Sequence, residues 1–195
     1  MSDANFKNAA LVLVDIQNDF CPGGALAVRD GDKIVSVVNR LIPHFPVVVA
    51  ARDWHPADHC SFKAQGGPWP PHCVLGSRGA ELHPDLDATR ITSNIRKAFT
   101  RDADSYSEFS GVDEMGRSLH ALLRDVKQLY IVGLATDYCV RATALDALKL
   151  GYEVFVVTDA VRAVNVRPGD GEQALAEMER AGASLVKSKE VLALR

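Results

Sequence analysis

The run QLYIVGLATDYCVRATALDALKLG, residues 128–151, holds a strand, a turn and a helix in one stretch, and its reading decides the fold. Residues 128–134 are almost continuously apolar and do not alternate, as expected of a parallel strand covered by helices on both faces. After the turn ATDY, Cys139 opens a helix expected over 138–150. Its apolar positions Val140, Ala144, Leu145 and Leu148 share a face, and Gly151 caps it. The chain then enters a further strand, EVFVVTD, residues 153–159.

The same alternation continues on either side. AALVLVD (9–15), PVVVAARD (46–53), TRITSNI (89–95) and ASLVKS (183–188) read as strands, with helices expected at 31–43, 114–125 and 171–181. With right-handed crossovers, this order predicts an α/β fold: a three-layer α/β/α, doubly wound, mainly parallel sheet. In a 3-2-1-4-5 strand arrangement, strands one and four flank the switch in strand order. Asp15 and Cys139 then face each other across the crevice where such sheets bind ligands. Nearly half of the 195 residues are apolar, enough for one sizeable core, so residues 1–195 read as a single domain. Residues 54–90 are rich in His, Pro, Gly, Cys and Trp and hold neither period. They read as a long ordered loop region, whose conformational-entropy cost a bound metal ion would offset.

A net charge of −3 and the lack of any Lys/Arg block give no electrostatic draw toward nucleic acid or anionic lipid. No apolar run approaches the length of a membrane span. The polar start MSDANFKN lacks the features of a signal peptide. Cys21, Cys60, Cys73 and Cys139 form no CxxC pair and are too few for a disulfide scaffold. The expectation is a cytoplasmic, reduced protein without nucleic-acid or membrane partners, with a homo-oligomer left open.

The candidate chemistry falls at strand ends. At a helix start, the Cys139 sulfur lies near unpaired backbone N–H groups, a position that lowers a thiol's pKa. The same amides, with that of Ala135, suit an oxyanion on an attacked carbonyl. A buried structural cysteine is the plainer alternative. Asp15 leaves the core at the mouth of the sheet and suits a general base, against a helix or turn cap, the role better matched to Asp19. Lys97 beside the thiol would favour thiolate, although a lone lysine is ordinarily solvated surface.

In extended RDWHPADH, Asp53 and His55 share a face while Trp54 points away, and His72 in WPPH supplies a third ligand to one ion. His59 or water can add to the set. Phe20 and Trp69 suit the two sides of a flat ring, with core packing the alternative for Phe20.

Together, VDIQNDFCPGG (14–24), ARDWHPADHCSF (51–62), GGPWPPHCVLGSRGAELHP (66–84), RKAFTRDADSYSEF (96–109) and VGLATDYCVRATALDAL (132–148) resemble, in order, the blocks of nicotinamidase/pyrazinamidase enzymes. These are isochorismatase-like cysteine hydrolases. The resemblance implies a sheet of about six strands, catalytic Asp15, Lys97 and Cys139, and an oxyanion hole at Ala135 and Cys139. It also implies a cis peptide between Leu134 and Ala135. Asp53, His55 and His72 would be metal ligands, with His59 an additional metal-site residue in some members, and Phe20 and Trp69 substrate-binding. The implied activity is hydrolysis of nicotinamide to nicotinate and ammonia through a cysteine thioester, in NAD salvage. It calls for one divalent ion, zinc by the ligand set, with iron or manganese compatible.

Other readings are weaker. A metal-independent carbamoyl or ureido amidohydrolase of the same superfamily leaves Asp53, His55 and His72 unexplained. A thiol- or metal-sensing domain needs neither Asp15 nor Lys97. A dinucleotide-binding protein requires G-x-G-x-x-G where VDIQNDF stands.

Overall fold

Strand β1, Ala9–Val14, is buried along its whole length, and its two faces feed two separate cores. Leu11 and Leu13 join one apolar cluster; Ala10, Val12 and Val14 join the other. This is why the run does not alternate: both faces of the strand are covered. The computed structural model describes residues 6–194. Residues 1–5, part of the polar N-terminal stretch, and residue 195 lie outside the described residues, although the single-domain expectation includes them.

Five further strands follow: β2 Val47–Asp53, β3 Ser93–Lys97, β4 Gln128–Leu134, β5 Glu153–Arg162 and β6 Ser184–Val186. They form one six-stranded sheet in the order β3-β2-β1-β4-β5-β6, every neighbouring pair parallel. The expected switch between strands one and four is present. Helix α1, Val35–Leu41, packs Val35, Val38 and Leu41 into the first core. Helices α2 Leu119–Leu122, α3 Arg141–Lys149 and α4 Asp170–Arg180 pack Leu119, Ala144, Ala147 and Met178 into the second. The three layers of the expected architecture are thus in place.

The elements depart from the sequence expectations where short-range signals compete. The helix expected over 114–125 shrinks to the single turn α2, because Asp113 and Arg117 build a tight turn before it. The backbone amides of Met115 and Arg117 both donate to Asp113 Oδ1, at 2.9 and 2.8 Å. The third strand lies later than TRITSNI: Ala88–Arg90 form a 3-10 turn capped by Asp87, and Lys97 becomes the last residue of β3. The helix expected from 138 begins as a π turn, Thr136–Val140, before α3. A last helix, α5 Ser188–Ala193, falls where only a strand end was expected. There the Glu190 side chain reaches back to the Lys187 backbone, and Ser188 Oγ bonds Asp159 at 2.6 Å. Residues 54–90 hold only three short 3-10 turns, and isolated bridges such as His55–Val74 and Phe62–Trp69 tie them down.

Strands β1 and β4 lie close together at the mouth of the sheet. Gly133 has φ +122°, and a Cβ there would lie 1.9 Å from the Val14 carbonyl oxygen, one residue before Asp15. Only glycine allows both that backbone conformation and that approach. Gly133→Ala is therefore expected to cost about 2–4 kcal/mol of folding stability. Urea denaturation measures this, and an unchanged midpoint would show that β4 can withdraw from β1 without cost.

Candidate active site

Parallel register brings several strand ends to one edge. Asp53 ends β2 opposite Lys97 at the end of β3, and Val14, the last residue of β1, lies opposite Gly133 of β4. Asp15 follows β1 with φ +46°, its amide donating to the Ala51 carbonyl at 3.1 Å. Its Oδ1 accepts from the Asp53 amide at 3.0 Å. Gln17, fully buried, shares that amide at 2.9 Å and donates through Nε2 to the carbonyls of Asp53 and Ala80, both at 2.9 Å. Strand β2 is thereby pinned to the loops on which the site stands.

Lys97 is the cation of this cluster and is fully buried. Its ammonium donates to Asp15 Oδ2 at 2.8 Å and to Asp53 Oδ1, and lies 3.3 Å from Glu108 Oε1. Burial works against its charge, but Asp15 and Asp53 outweigh burial and hold its pKa well above the usual lysine value. The carboxylates diverge. Burial, reinforced by the charge of Asp53, raises Asp15 to about 6 against the pull of Lys97. Burial acts on Asp53 too, but Lys97 prevails and holds it below the usual carboxylate range. Burial and the charge of Asp15 push Glu108 well above that range.

The π turn buries Cys139 against this cluster. One ligand-type atom from each of Asp15, Asp53 and Cys139 lies within 4.8 Å of the others. The amides on either side of Cys139, those of Tyr138 and Val140, both donate to the Ala135 carbonyl at 3.1 Å. The Leu134–Ala135 peptide is cis. The thiol differs from the expectation of a lowered pKa. Burial and the carboxylates of Asp15 and Asp53 raise it well above its ordinary value, despite Lys97, so Cys139 rests protonated. Desolvation here outweighs the helix start that suggested the opposite.

Asp53 also faces two histidines. His55 Nε2 and His72 Nε2 lie 3.4 and 3.8 Å from Asp53 Oδ2, and the three ligand atoms fall within 4.8 Å of one another. A carbonyl can only accept, so His55 Nδ1 donates to Ala98 at 3.1 Å and His72 Nδ1 to Pro70 at 2.8 Å. In its neutral form each ring then presents the Nε2 lone pair toward Asp53, and His55 Nε2 is buried with no hydrogen-bond partner among the described residues. Burial lowers His72 below the ordinary imidazole range, keeping it neutral. Two fixed imidazole lone pairs beside a carboxylate suit a divalent ion. His59 stands alongside, its ring stacked on His55 with centroids 4.2 Å apart. Its nitrogens pair with Ser61 Oγ at 2.8 Å and the Ala103 carbonyl at 3.2 Å.

Phe20 packs edge-on against His72, 5.5 Å between centroids. Trp69 meets Tyr138 edge-on at 5.1 Å and donates through Nε1 to Tyr106 Oη at 3.1 Å. Trp54 points elsewhere, between the guanidiniums of Arg52 and Arg96 at 5.3 and 4.7 Å. Asp19, read as a cap, accepts from the amides of Ala25 and Cys73. Gln17, Tyr106, Glu108 and Tyr138 escaped the sequence reading. Their signal, where there is one, is proximity to the quoted motifs.

The fold and this constellation define a three-layer α/β hydrolytic enzyme of the doubly wound type, with a cysteine beside a buried carboxylate–lysine pair. The chain belongs to the isochorismatase family: the isochorismatase domain matches residues 9–190. Among curated relatives, the nicotinamidase of Escherichia coli (strain K12) is 47% identical, covering 90% of this chain and 93% of its own. Among solved structures, PnC1 from L. infantum in complex with nicotinate is 40% identical with a TM-score of 0.87, covering 97% of this chain and 96% of its own. The pyrazinamidase of Pyrococcus horikoshii in complex with zinc is 48% identical with a TM-score of 0.83, covering 92% and 99%.

With Lys97 removed, Asp15 and Asp53 stay buried without their cation. Lys97→Met is expected to lower the stability of chelator-treated protein by about 3–5 kcal/mol. Denaturant titration at neutral pH tests this, and a variant as stable as the parent would show that the lysine does not hold the carboxylates in place.

Proposed function

We propose that this chain is a nicotinamidase, hydrolysing nicotinamide to nicotinate and ammonia, and pyrazinamide to pyrazinoate, with Cys139 as nucleophile. The observation that carries the reading is the Lys97 ammonium shared between Asp15 and Asp53, which joins the base of a thiol attack to a metal-ligand trio. The nicotinamidase, nicotinate-bound and zinc-bound relatives support it.

Cys139 rests as a thiol, so its proton must leave as sulfur attacks. Asp15 accepts that proton, and Lys97 offsets the negative charge. As the sulfur bonds to the carboxamide carbon, the carbonyl electron pair moves onto oxygen, which the amides of Ala135 and Cys139 receive. Asp15 returns the proton to the departing ammonia, leaving a Cys139 thioester. Water, giving a proton to Asp15, then attacks that thioester; nicotinate leaves and the thiol is restored.

Phe20 and Trp69 would sandwich the ring. Asp53, His55 and His72 would hold one divalent ion; His59, bonded at both nitrogens, would join it only by giving up one of those bonds. Zinc suits the donors best, with iron or manganese compatible; the ion would supply Lewis-acid binding of the pyridine nitrogen. The product feeds NAD salvage. Four unpaired cysteines support a reducing, cytoplasmic setting.

A metal-independent carbamoyl or ureido hydrolase leaves the buried trio without a task. A thiol- or metal-sensing domain leaves Asp15 and Lys97 without one.

Cys139→Ala is expected to cut ammonia release from nicotinamide by about 1,000-fold or more with the fold retained. Substantial turnover by that variant would remove the cysteine from the mechanism. Faster hydrolysis of carbamoyl or ureido compounds by the parent protein would move the substrate class. Elemental analysis is expected to find about one ion per chain, lost in Asp53→Ala. Metal-replete parent protein without bound ion would overturn the metal assignment.

A further inference from the structure

Glu108 is fully buried, yet neither of its oxygens has a hydrogen-bond partner among the described residues apart from the Lys97 contact. Burying a carboxyl carries a large desolvation cost unless it is paired, and the backbone around it is built firmly. The turn Glu108–Ser110 is capped by Ser107, whose Oγ accepts from the Phe109 amide at 3.3 Å. The Glu108 amide donates to Thr143 Oγ1 of α3 at 3.1 Å. Beyond the turn, Val112 and Arg96 exchange backbone hydrogen bonds of 3.1 and 2.9 Å, fastening the segment to β3 one residue before Lys97. A Cβ on Gly111 would stand 2.4 Å from Ile95 Cγ2, so the segment lies tight on that strand.

An ammonium has three N–H donors. Asp15 and Asp53 take two, and Glu108 Oε1 faces the ammonium at 3.3 Å as an ion-pair contact without hydrogen-bond geometry in this arrangement. We propose that Glu108 is a positioning residue of the cysteine attack: its carboxyl takes the third N–H of Lys97 and fixes the ammonium between Asp15 and Asp53. The inference rests on the catalytic reading of Asp15, Lys97 and Cys139 given above. The carboxyl serves as a neutral acceptor. One cation already balances Asp15 or Asp53, and a third negative charge here would oppose thiolate at Cys139. Lys97 then stays in place for the proton transfer, and the substrate-binding aromatic residues are untouched. The loss therefore falls on kcat and spares KM.

Two variants separate this role from simple packing. Glu108→Gln keeps the shape and a carbonyl acceptor without any charge. Glu108→Ala removes the acceptor. Glu108→Gln is expected to hydrolyse nicotinamide with kcat within about threefold of the parent, and Glu108→Ala to lose about 10- to 100-fold in kcat with KM nearly unchanged, the range for a lost hydrogen bond to a charged group. Iodoacetamide alkylation of Cys139, followed by peptide mass spectrometry, needs no substrate and is expected to slow in Glu108→Ala but not in Glu108→Gln. A Gln variant with kcat and alkylation as poor as those of Ala, or an Ala variant with parental kcat and alkylation, would overturn the proposal. If Glu108→Ala fails to fold, the Gln variant decides by the same two measurements. Failure of the nicotinamidase reading shows differently: the parent then releases no ammonia from nicotinamide, while Cys139 alkylation still responds to Glu108 as above.

Discussion

One buried ammonium governs the arrangement of the site. Lys97 reaches carboxyls that follow β1, end β2 and sit in the turn after β3, so a single charge ties adjacent strand ends together in a region closed to water. Uncompensated, buried carboxylates would repel one another and take up protons. Parallel register makes the sharing possible. It brings Asp53 opposite Lys97 and carries β1 out of the core beside Gly133, from which β4 runs to the turn that holds Cys139. The sheet therefore supplies the site's geometry, and the lysine keeps its charges compatible.

Much of this was legible because the deciding signals are local. Continuous apolar runs betray strands covered on both faces, and the stretch from Gln128 to Gly151 displays strand, turn and helix in order. Asp53, His55 and His72 were legible because D-x-H in extended chain and WPPH constrain side-chain direction over a few residues. The illegible parts depend on distant partners. Glu108 in SYSEF has the composition of exposed loop, and only the fold shows that it is sealed against Lys97, since glutamate is rarely buried without a partner. Gln17 looks like any polar residue of a turn until its amide is seen joining the end of β2 to Ala80. The direction of the Cys139 pKa failed for the same reason. A helix start is visible in the sequence, whereas total burial beside several carboxyls is not.

The histidines show how backbone carbonyls prepare side chains. Ala98 and Pro70 each take an Nδ1 proton, and this choice leaves both Nε2 lone pairs facing Asp53. His59, bonded at both nitrogens, presents no such lone pair toward the trio in this arrangement. The distinction between neighbouring imidazoles is set by loop carbonyls that carry no sequence signature.

The two aspartates on Lys97 show how one cation supports different tasks. Both are buried and both touch the same ammonium, yet Asp15 sits near 6 while Asp53 is held low. For Asp53 the lysine outweighs burial; for Asp15 the negative charge of Asp53 adds to burial. A carboxylate held low stays ionised and suits a cation. One raised toward neutrality binds a proton and gives it back near physiological pH, as the proposed thiol attack and ammonia departure require. Cys139 completes the logic. In the proposed mechanism its thiol, raised by burial, gives up its proton to Asp15 as sulfur attacks, and the charge that forms on sulfur passes to the substrate oxygen.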